Sequence, residues 1–214
     1  LSRSPRFRLQ GEFIRDAALS FSGLLVDSVG GPSVKPYQPA NIWNEVSLNG
    51  GLRYKRDSGD KLYRRSIYTY WKRSAPMPNM LIFDAPTREK CMIQRPITNT
   101  PLQALVVLND PQFVEAARAF AQKMITEGGN NDKARINYGF KVALSREATE
   151  EEISVITQVL KSQMESFDAD NEKAKKFLSV GEISRDEKID LVEHASWSVI
   201  AQILLNMDET LTRG

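Results

Sequence analysis

Apolar residues recur at helical spacing along most of the chain, beginning near its start. Phe13, Ala17 and Phe21 follow one another at intervals of four, which places their side chains on one face of a helix. The polar residues between them, Arg15 among them, fall mostly on the opposite face. This pattern predicts an amphipathic helix over 8–26 whose polar face meets solvent.

Four later segments show the same spacing and are predicted to be helices: 62–73, 132–144, 149–167 and 184–206. The last of these is predicted to be the longest. Thr149 and Glu152 form a capping-box pattern at the start of the third. The polar stretch 168–176 that follows it is predicted to be a linker.

The stretch TNTPLQALVVLNDPQF contains two helix starts. Thr100 is followed by a proline and, three residues on, by Gln103, which predicts a capping box with proline at the first helical position. Asp110 and the proline after it repeat the cap and start a second helix, which ends at the glycine pair 128–129. Because the first helix is apolar almost all round, we expect it to lie at the centre of the domain.

Two segments lack helical spacing. In the first, 27–61, the Asn-Gly pair at 49–50 predicts a small β-hairpin near 46–56. In the second, 74–96, four prolines predict a long irregular loop with a single helical turn from Asp84, as its cap, to Cys91. Long loops of this kind in compact domains are often functional, so this loop is the first place to look for a site.

These elements predict an all-α domain of about six to eight helices with one long proline-rich loop. The hairpin near 46–56 is the one candidate for a sheet. We expect a single domain over 1–214, with a basic, loop-rich half (1–97) and a helical half (98–214). The sequence has no initiator methionine, and charged residues run directly into an amphipathic segment, so we expect a fragment of a larger protein.

Charge is distributed unevenly along the chain. Residues 1–73 contain 13 Lys and Arg against 6 Asp and Glu, whereas 74–214 contain 16 against 21. A basic region that is also rich in tyrosine can indicate a polyanion partner. No basic run exceeds two residues and no nucleic-acid motif is present, so pairing between the two halves is favoured and no nucleic-acid partner is expected. No apolar run is long enough to predict membrane insertion.

The chain has one cysteine and one histidine, which excludes several kinds of site. It can form no disulfide within the chain, offers too few ligands for a structural zinc, and lacks a haem-attachment motif. We therefore expect no metal and no cofactor in this chain. Cys91 is predicted to be a buried apolar thiol rather than a reactive one. His194 is predicted to have a surface or capping role, with axial ligation of haem as the alternative.

Planar hydrogen-bonding groups cluster in and around the proline-rich loop. This candidate site comprises Arg64, Arg65, Tyr68, Trp71, Arg73, Asp84, Arg88, Glu89, Arg95, Asn99 and Gln103. The favoured interpretation is a buried network, with bidentate pairing between an arginine and Asp84, that pins the loop. The alternative is a ligand pocket in which Tyr68 and Trp71 stack on a sugar or haem edge. Asp84, Glu89 and Cys91 are the nearby candidates for a base or nucleophile.

The runs YRRSIYTYWKRSAPMPNMLIFDAPTREKC and RPITNTPLQALVVLNDPQFVEAARAFA resemble a known family. It is the C-terminal domain of unknown function that accompanies cytochrome-c-type modules in large planctomycete and related bacterial proteins. RLQGEFIRDAALSFSGLL, GGPSVKPYQP, ALSREATEEE and LLNMDETLTRG extend the resemblance over nearly the whole chain. The resemblance implies a multidomain, extracytoplasmic protein whose haem c lies in a separate domain. The family offers no established catalytic residues to transfer.

Three functions follow as hypotheses. The first is a non-catalytic interaction or scaffold module of a larger extracytoplasmic protein associated with cytochrome-c-type electron transfer, whose partners are the other domains of that protein. The second is an enzyme or binding domain for polysaccharide or another extracytoplasmic substrate, with a pocket over 64–110. The third is a domain that docks haem noncovalently or docks a redox partner.

Overall fold

The computed structural model describes residues 7–47 and 50–213. These residues form ten α-helices: α1 (Gly11–Ser22), α2 (Ile42–Glu45), α3 (Pro78–Ile82), α4 (Pro101–Asn109), α5 (Pro111–Glu127), α6 (Asp132–Leu144), α7 (Glu150–Ala169), α8 (Asn171–Leu178), α9 (Leu191–Asn206) and α10 (Asp208–Leu211). The predicted all-α class is confirmed.

A two-stranded antiparallel sheet joins the two ends of the described chain. Its strands are β1 (Phe7–Arg8) and β2 (Thr212–Arg213), paired in the register Phe7 to Arg213. The hairpin predicted near 46–56 is not found in the described part of that segment, where residues 46–47 and 50–56 form no strand. The turn positions 48–49 lie outside the described residues.

Helices α5 and α9 form the centre of the core. Ala116, Ala117 and Phe120 on α5 are completely buried, as are Ile200 and Leu204 on α9. The alanines let other elements approach the α5 backbone closely. Helices α1, α6 and α7 pack around this pair.

Two predicted helix caps are present. The Asp110 carboxylate accepts a hydrogen bond from the Gln112 backbone N–H at 3.0 Å, which starts α5. At α7, Thr149 and Glu152 form a reciprocal capping box. Arg146 also donates to the Glu152 carboxylate at 2.7 and 2.8 Å, and this pairing lowers the Glu152 pKa to about 2.

Helix α4 begins at its proline as predicted, but its cap and its position differ from the prediction. Thr100 makes no capping hydrogen bond with its side chain. Leu102 and Leu105 are 53% and 52% exposed, so α4 lies at the surface with leucines facing outward. The apolar composition misled the prediction because an exposed apolar face and a buried one have the same sequence pattern.

The helix predicted over 62–73 is wrong. Short 3₁₀ turns at Gly59–Tyr63 and Ser66–Tyr68 replace it, because tertiary contacts occupy the backbone groups that an α-helix would use. The Tyr68 carbonyl accepts from Val34 N–H at 2.8 Å, and Tyr70 N–H donates to the Val34 carbonyl at 2.7 Å. The helical turn expected over 84–91 is likewise absent, and the loop's helix is α3, which lies before Asp84.

The C-terminal helices also differ in extent from the prediction. The supposed linker 168–176 contains most of α8, where Asp170 caps the Lys173 N–H at 3.0 Å and Ala174 is fully buried. Helix α9 begins only after Asp190, whose carboxylate accepts from Glu193 N–H at 2.9 Å. The 20-residue α7 is therefore longer than the 16-residue α9.

Candidate ligand cleft

A cleft of about 430 Å³ lies between β1, the start of α1 and the segment 93–97. Its walls are mainly apolar and include Phe7, Phe13, Phe83, Ile93 and Ile97. Its polar lining includes Arg8, Gln10, Asp84, Arg95 and Gln103. Three of the eleven residues in the predicted site therefore meet at this cleft: Asp84, Arg95 and Gln103.

Asp84 is held by Thr98 rather than by an arginine. Its carboxylate accepts hydrogen bonds from the Thr98 backbone N–H at 2.7 Å and from the Thr98 hydroxyl at 2.8 Å. No ion pair to Asp84 is found among the described residues, so the predicted bidentate Arg–Asp84 pair is wrong. Asp84 has φ 61°, a left-handed conformation that Asp tolerates better than most residues.

Arg95 pairs instead with α1. Its Nη1 donates to both oxygens of the Glu12 carboxylate, at 3.0 and 2.8 Å, and to Oε1 of Gln10 at 3.0 Å. These bonds tie the proline-rich loop to the start of the first long helix. Gln10 and Arg95 line the cleft, and the charged side chains of Arg95 and Glu12 are partly exposed.

Gln103 is fully buried at the base of the cleft. Its Nε2 donates to the Ile82 carbonyl at 2.9 Å and to the Thr98 hydroxyl at 3.1 Å, instead of forming the predicted capping box. Because a backbone carbonyl can only accept, this contact fixes which end of the amide is nitrogen. Its Oε1 has no hydrogen-bond partner among the described residues. Such an unpaired buried acceptor is uncommon in folded proteins.

Arg8 supplies a matching donor at the same cleft. Its Nε is buried and has no hydrogen-bond partner among the described residues. Partial burial lowers the pKa of the Arg8 guanidinium, while Asp208 and Asp84 oppose that shift. The cleft thus borders one unpaired acceptor and one unpaired donor between apolar walls.

Most of the remaining predicted residues stabilise loops outside the cleft. Arg64 donates to the carbonyls of Ser28, Gly30 and Pro32, and its guanidinium lies 3.9 Å from the ring centroid of Tyr68. Arg65 pairs with the exposed Asp27 at 2.7 Å. The arginines at 64 and 65 therefore pin the 27–32 loop.

The loop after Trp71 is also held by local contacts. The Trp71 indole donates to the Thr87 carbonyl at 3.0 Å, and the Arg88 guanidinium lies 4.9 Å from its ring centroid. Arg73, Glu89 and Asn99 are exposed and do not line the cleft. A guanidinium thus stacks on each aromatic ring proposed as a platform, Tyr68 and Trp71.

The single cysteine and the single histidine differ from the prediction in their burial. Cys91 is exposed rather than buried. His194 is fully buried in α9, and its Nε2 lies 3.1 Å from the Arg118 carbonyl, so the predicted surface or capping role is wrong. Burial lowers the pKa of the His194 imidazole. Within the described residues, no group of His, Cys, Asp and Glu could hold a metal ion.

The principal buried polar networks were missed by the sequence reasoning. Arg15 on α1 is 1% exposed and donates to Gln112 Oε1 at 2.6 Å, to Ser66 Oγ at 3.0 Å and to the Leu62 carbonyl at 2.8 Å. Desolvation lowers its pKa to about 10. Amphipathic spacing had placed Arg15 on the solvent face, and nothing local in the sequence indicates its distant partners.

A second network surrounds Glu115 on α5, which is fully buried. Its carboxylate accepts from the hydroxyls of Tyr37 and Tyr63 at 2.9 and 3.0 Å, and from the backbone N–H groups of Glu182 and Ile183 at 2.7 and 2.8 Å. Burial, followed by the neighbouring carboxylate, raises the pKa of Tyr37 to about 12. These contacts anchor three separate loops to the central helix.

A separate apolar groove of about 500 Å³ runs along the exposed side of α4. Leu102, Leu105 and Val106 form one side, and Pro39 and Ile82 lie among the residues that line the rest. The groove exists because α4 lies at the surface. Over 7–47 and 50–213, no helix combines the length and apolar composition of a membrane span.

Comparison with known proteins gives a family and nothing further. A family model described as PSD1, protein of unknown function (DUF1553), matches residues 1–160. No curated protein and no solved structure matches the chain. Since the match spans well over half of the 214 residues, the chain belongs to the PSD1 family of proteins of unknown function.

Proposed function

We propose that the chain is a non-catalytic interaction module that packs against another domain of a larger extracytoplasmic protein. The observation that carries this proposal is the outward-facing leucine surface of α4, formed by Leu102, Leu105 and Leu108. Exposed apolar patches with neighbouring grooves commonly mark protein interaction sites. The groove beside α4 gives this surface the concave shape that an apolar side chain from a partner can fill.

More apolar side chains are exposed in the segment before α4. Ile93 and Ile97, in the segment that precedes the helix, are also exposed. The segment is held from behind by Arg95 and Thr98, whose side chains bond to Glu12 and Asp84. The exposed isoleucines and leucines are therefore presented by an anchored framework, which limits the ordering cost of binding.

The proposed setting is a multidomain protein linked to cytochrome-c-type electron transfer, with haem c bound by a separate domain. Family resemblance supports this setting and also the extracytoplasmic location. The contacts at the cleft agree with a non-catalytic role, because the Asp84 carboxylate is occupied by Thr98 and Arg95 by Glu12. The cleft is lined neither by His194, which is buried, nor by Cys91, which is exposed.

Hydrogen–deuterium exchange on the full-length parent protein tests the docking surface. We expect amides of α4 to exchange more slowly in the parent than in this chain alone. The Leu105→Asp variant should remove that protection and weaken association with the separately produced remainder of the parent. Val155→Asp is the matched control, because Val155 is 61% exposed on α7, away from α4. Unchanged exchange in α4, or equal effects of the two variants, would contradict the proposal.

The electron-transfer setting has its own test. A pyridine haemochrome spectrum of the purified parent should show covalently attached haem c. A parent without haem would exclude the cytochrome setting and leave the docking result unaffected. The two parts of the proposal can therefore fail separately.

A second candidate function is the binding of polysaccharide or another extracytoplasmic substrate in the cleft. The unpaired Oε1 of Gln103 beside an apolar-walled cavity favours it. A glycan array probed with the unsubstituted chain and with its Gln103→Leu variant tests this candidate. We expect binding that is lost in the variant while the circular dichroism spectrum stays unchanged. Absence of binding by the unsubstituted chain rejects the candidate.

A further inference from the structure

A polar pocket of about 420 Å³ lies in the basic half of the chain, around α2. Arg53 and Arg56 line it together with Trp43, Tyr54 and amide side chains. None of the described residues that line it is acidic. Among the described residues, the pocket shares no lining residue with the cleft at Gln103, and it shares Gln38 and Pro39 with the groove beside α4.

Trp43 lines this pocket and carries a buried donor without a described partner. The residue is 8% exposed, and its indole Nε1 has no hydrogen-bond partner among the described residues. An indole nitrogen can only donate, so no alternative assignment of atoms would satisfy it. The Nε2 of Gln38, which also lines the pocket, is a second buried donor without a described acceptor. The indole nitrogen therefore requires an acceptor.

The two arginines differ in how they are held. Arg56 is fixed in place, since it stacks on Tyr37 at 4.7 Å from the ring centroid and pairs with Glu182 at 3.1 Å. Arg53 is exposed and makes no hydrogen bond or ion pair with any residue in the described part of the chain. One guanidinium is thus pre-positioned and the other is free to close on a ligand.

Further positive charge surrounds Trp43. The ammonium groups of Lys35 and Lys72 lie 5.7 and 5.4 Å from its ring centroid. Neither of two nearby carboxylates lines the pocket. Asp57 accepts a hydrogen bond from the Lys35 backbone N–H at 2.7 Å, and Glu45 is exposed on α2. Four of the thirteen basic residues in 1–73 therefore lie at this pocket or beside Trp43, and one of them, Arg56, is paired with Glu182.

We propose that this pocket binds an oxyanion, meaning a carboxylate, sulfate or phosphate group. Arginines that converge with neutral N–H donors are the usual means by which proteins recognise such groups, because the guanidinium can form two parallel charge-assisted hydrogen bonds. The cavity exceeds the size of a bare anion, and the amides of Asn41 and Asn44 suit hydroxyl groups. An acidic sugar residue and a free inorganic anion share this chemistry. The inference does not depend on docking through α4.

Isothermal titration calorimetry of the full chain separates the two sources. The ligands are galacturonate, inorganic sulfate and inorganic phosphate, with galactose as the uncharged comparison. We expect saturable binding of the anions and none of galactose. Tighter binding of galacturonate than of the inorganic ions would identify an acidic sugar as the ligand, and equal binding would identify the oxyanion alone. Binding of galactose as tightly as galacturonate, or no saturable binding of any anion, would overturn the proposal.

The Arg53→Gln variant tests the position of the site. We expect its affinity to fall about ten-fold, the loss expected for one charge-assisted hydrogen bond. Lys55→Gln is the matched control, since Lys55 is an exposed cation two residues away that does not line the pocket. Its affinity should be unchanged. Equal weakening in both variants would show that only general positive charge attracts the anion, which would overturn the assignment to this pocket.

Discussion

The Tyr63 hydroxyl donates a hydrogen bond of 3.0 Å to the carboxylate of Glu115 in the interior of the protein. Tyr63 belongs to the loop-rich half and Glu115 to the central helix α5, so this contact joins the two halves that the sequence distinguishes by charge. Arg118 lies 3.6 Å from the same carboxylate. The buried charge is thus balanced by one cation and several N–H and O–H donors.

Glu115→Gln should destabilise the fold by about 3–5 kcal/mol, the usual cost of removing one partner from a buried charge pair. The amide nitrogen would face donors, and Arg118 would lose the carboxylate that opposes its desolvation. The measurement is the free energy of unfolding in urea. Glu165→Gln, at an exposed position on α7, should change it by less than about 0.5 kcal/mol. A small effect at Glu115 would show that the carboxylate is not required for stability.

The same network predicts loss of stability at alkaline pH. Because the Tyr37 pKa is raised to about 12 from its usual 10.0, the folded state retains a proton that the unfolded state releases. The stability contributed by Tyr37 is therefore complete below pH 10 and is lost as pH rises from 10 to 12. Tyr37→Phe should flatten this decline by roughly 2 kcal/mol between pH 9 and 11.5, as measured by urea unfolding at each pH. Parallel pH profiles for the two proteins would contradict this assignment.

Gly181 is a third point at which the network constrains the sequence. Its φ is 100°, and an added Cβ would meet Cγ of Glu115 at 2.7 Å. Gly181→Ala should therefore combine backbone strain with displacement of a buried carboxylate, at a cost of about 3 kcal/mol or more in unfolding free energy. Gly30→Ala is the matched control, since Gly30 has φ 82° and nothing lies within 4 Å of its added Cβ. The difference between the two variants isolates the contact with Glu115, and equal costs would rule that contact out.

The sequence predicted two helix caps whose partners are close along the chain. Asp110 and Gln112, or Thr149 and Glu152, interact within three residues, so the caps at α5 and α7 were predictable. Arg15 instead bonds to Gln112, 97 residues away, and helical spacing alone assigns such a residue to solvent. Helical spacing also does not show whether other elements cover an apolar helix. For that reason α4 was wrongly predicted to lie at the centre.

The candidate site was only partly predictable for the same reason. Asp84, Arg95 and Gln103 were selected as polar residues around a proline-rich loop, and they do line one cleft. Their partners were not predictable, because Glu12 lies 83 residues from Arg95 and the pairing depends on how the loop crosses α1. The oxyanion pocket was outside the predicted set altogether, although the excess of basic residues in 1–73 was visible in the sequence.

Asp84 has two structural roles, which Asp84→Asn largely keeps and Asp84→Ala removes together. Asp84→Asn can keep the left-handed backbone and one acceptor for Thr98, so we expect a loss of about 0.5–1 kcal/mol in unfolding free energy. Asp84→Ala removes both acceptors and places a Cβ without a polar group at φ 61°, so the loss should reach about 2 kcal/mol. Pro101→Ala, at the first position of α4, should cost less than about 0.5 kcal/mol and serves as the nearby control. A loss near 4 kcal/mol in the alanine variant would instead indicate a buried arginine left without its partner, and equal losses in the asparagine and alanine variants would show that neither backbone strain nor the remaining acceptor matters.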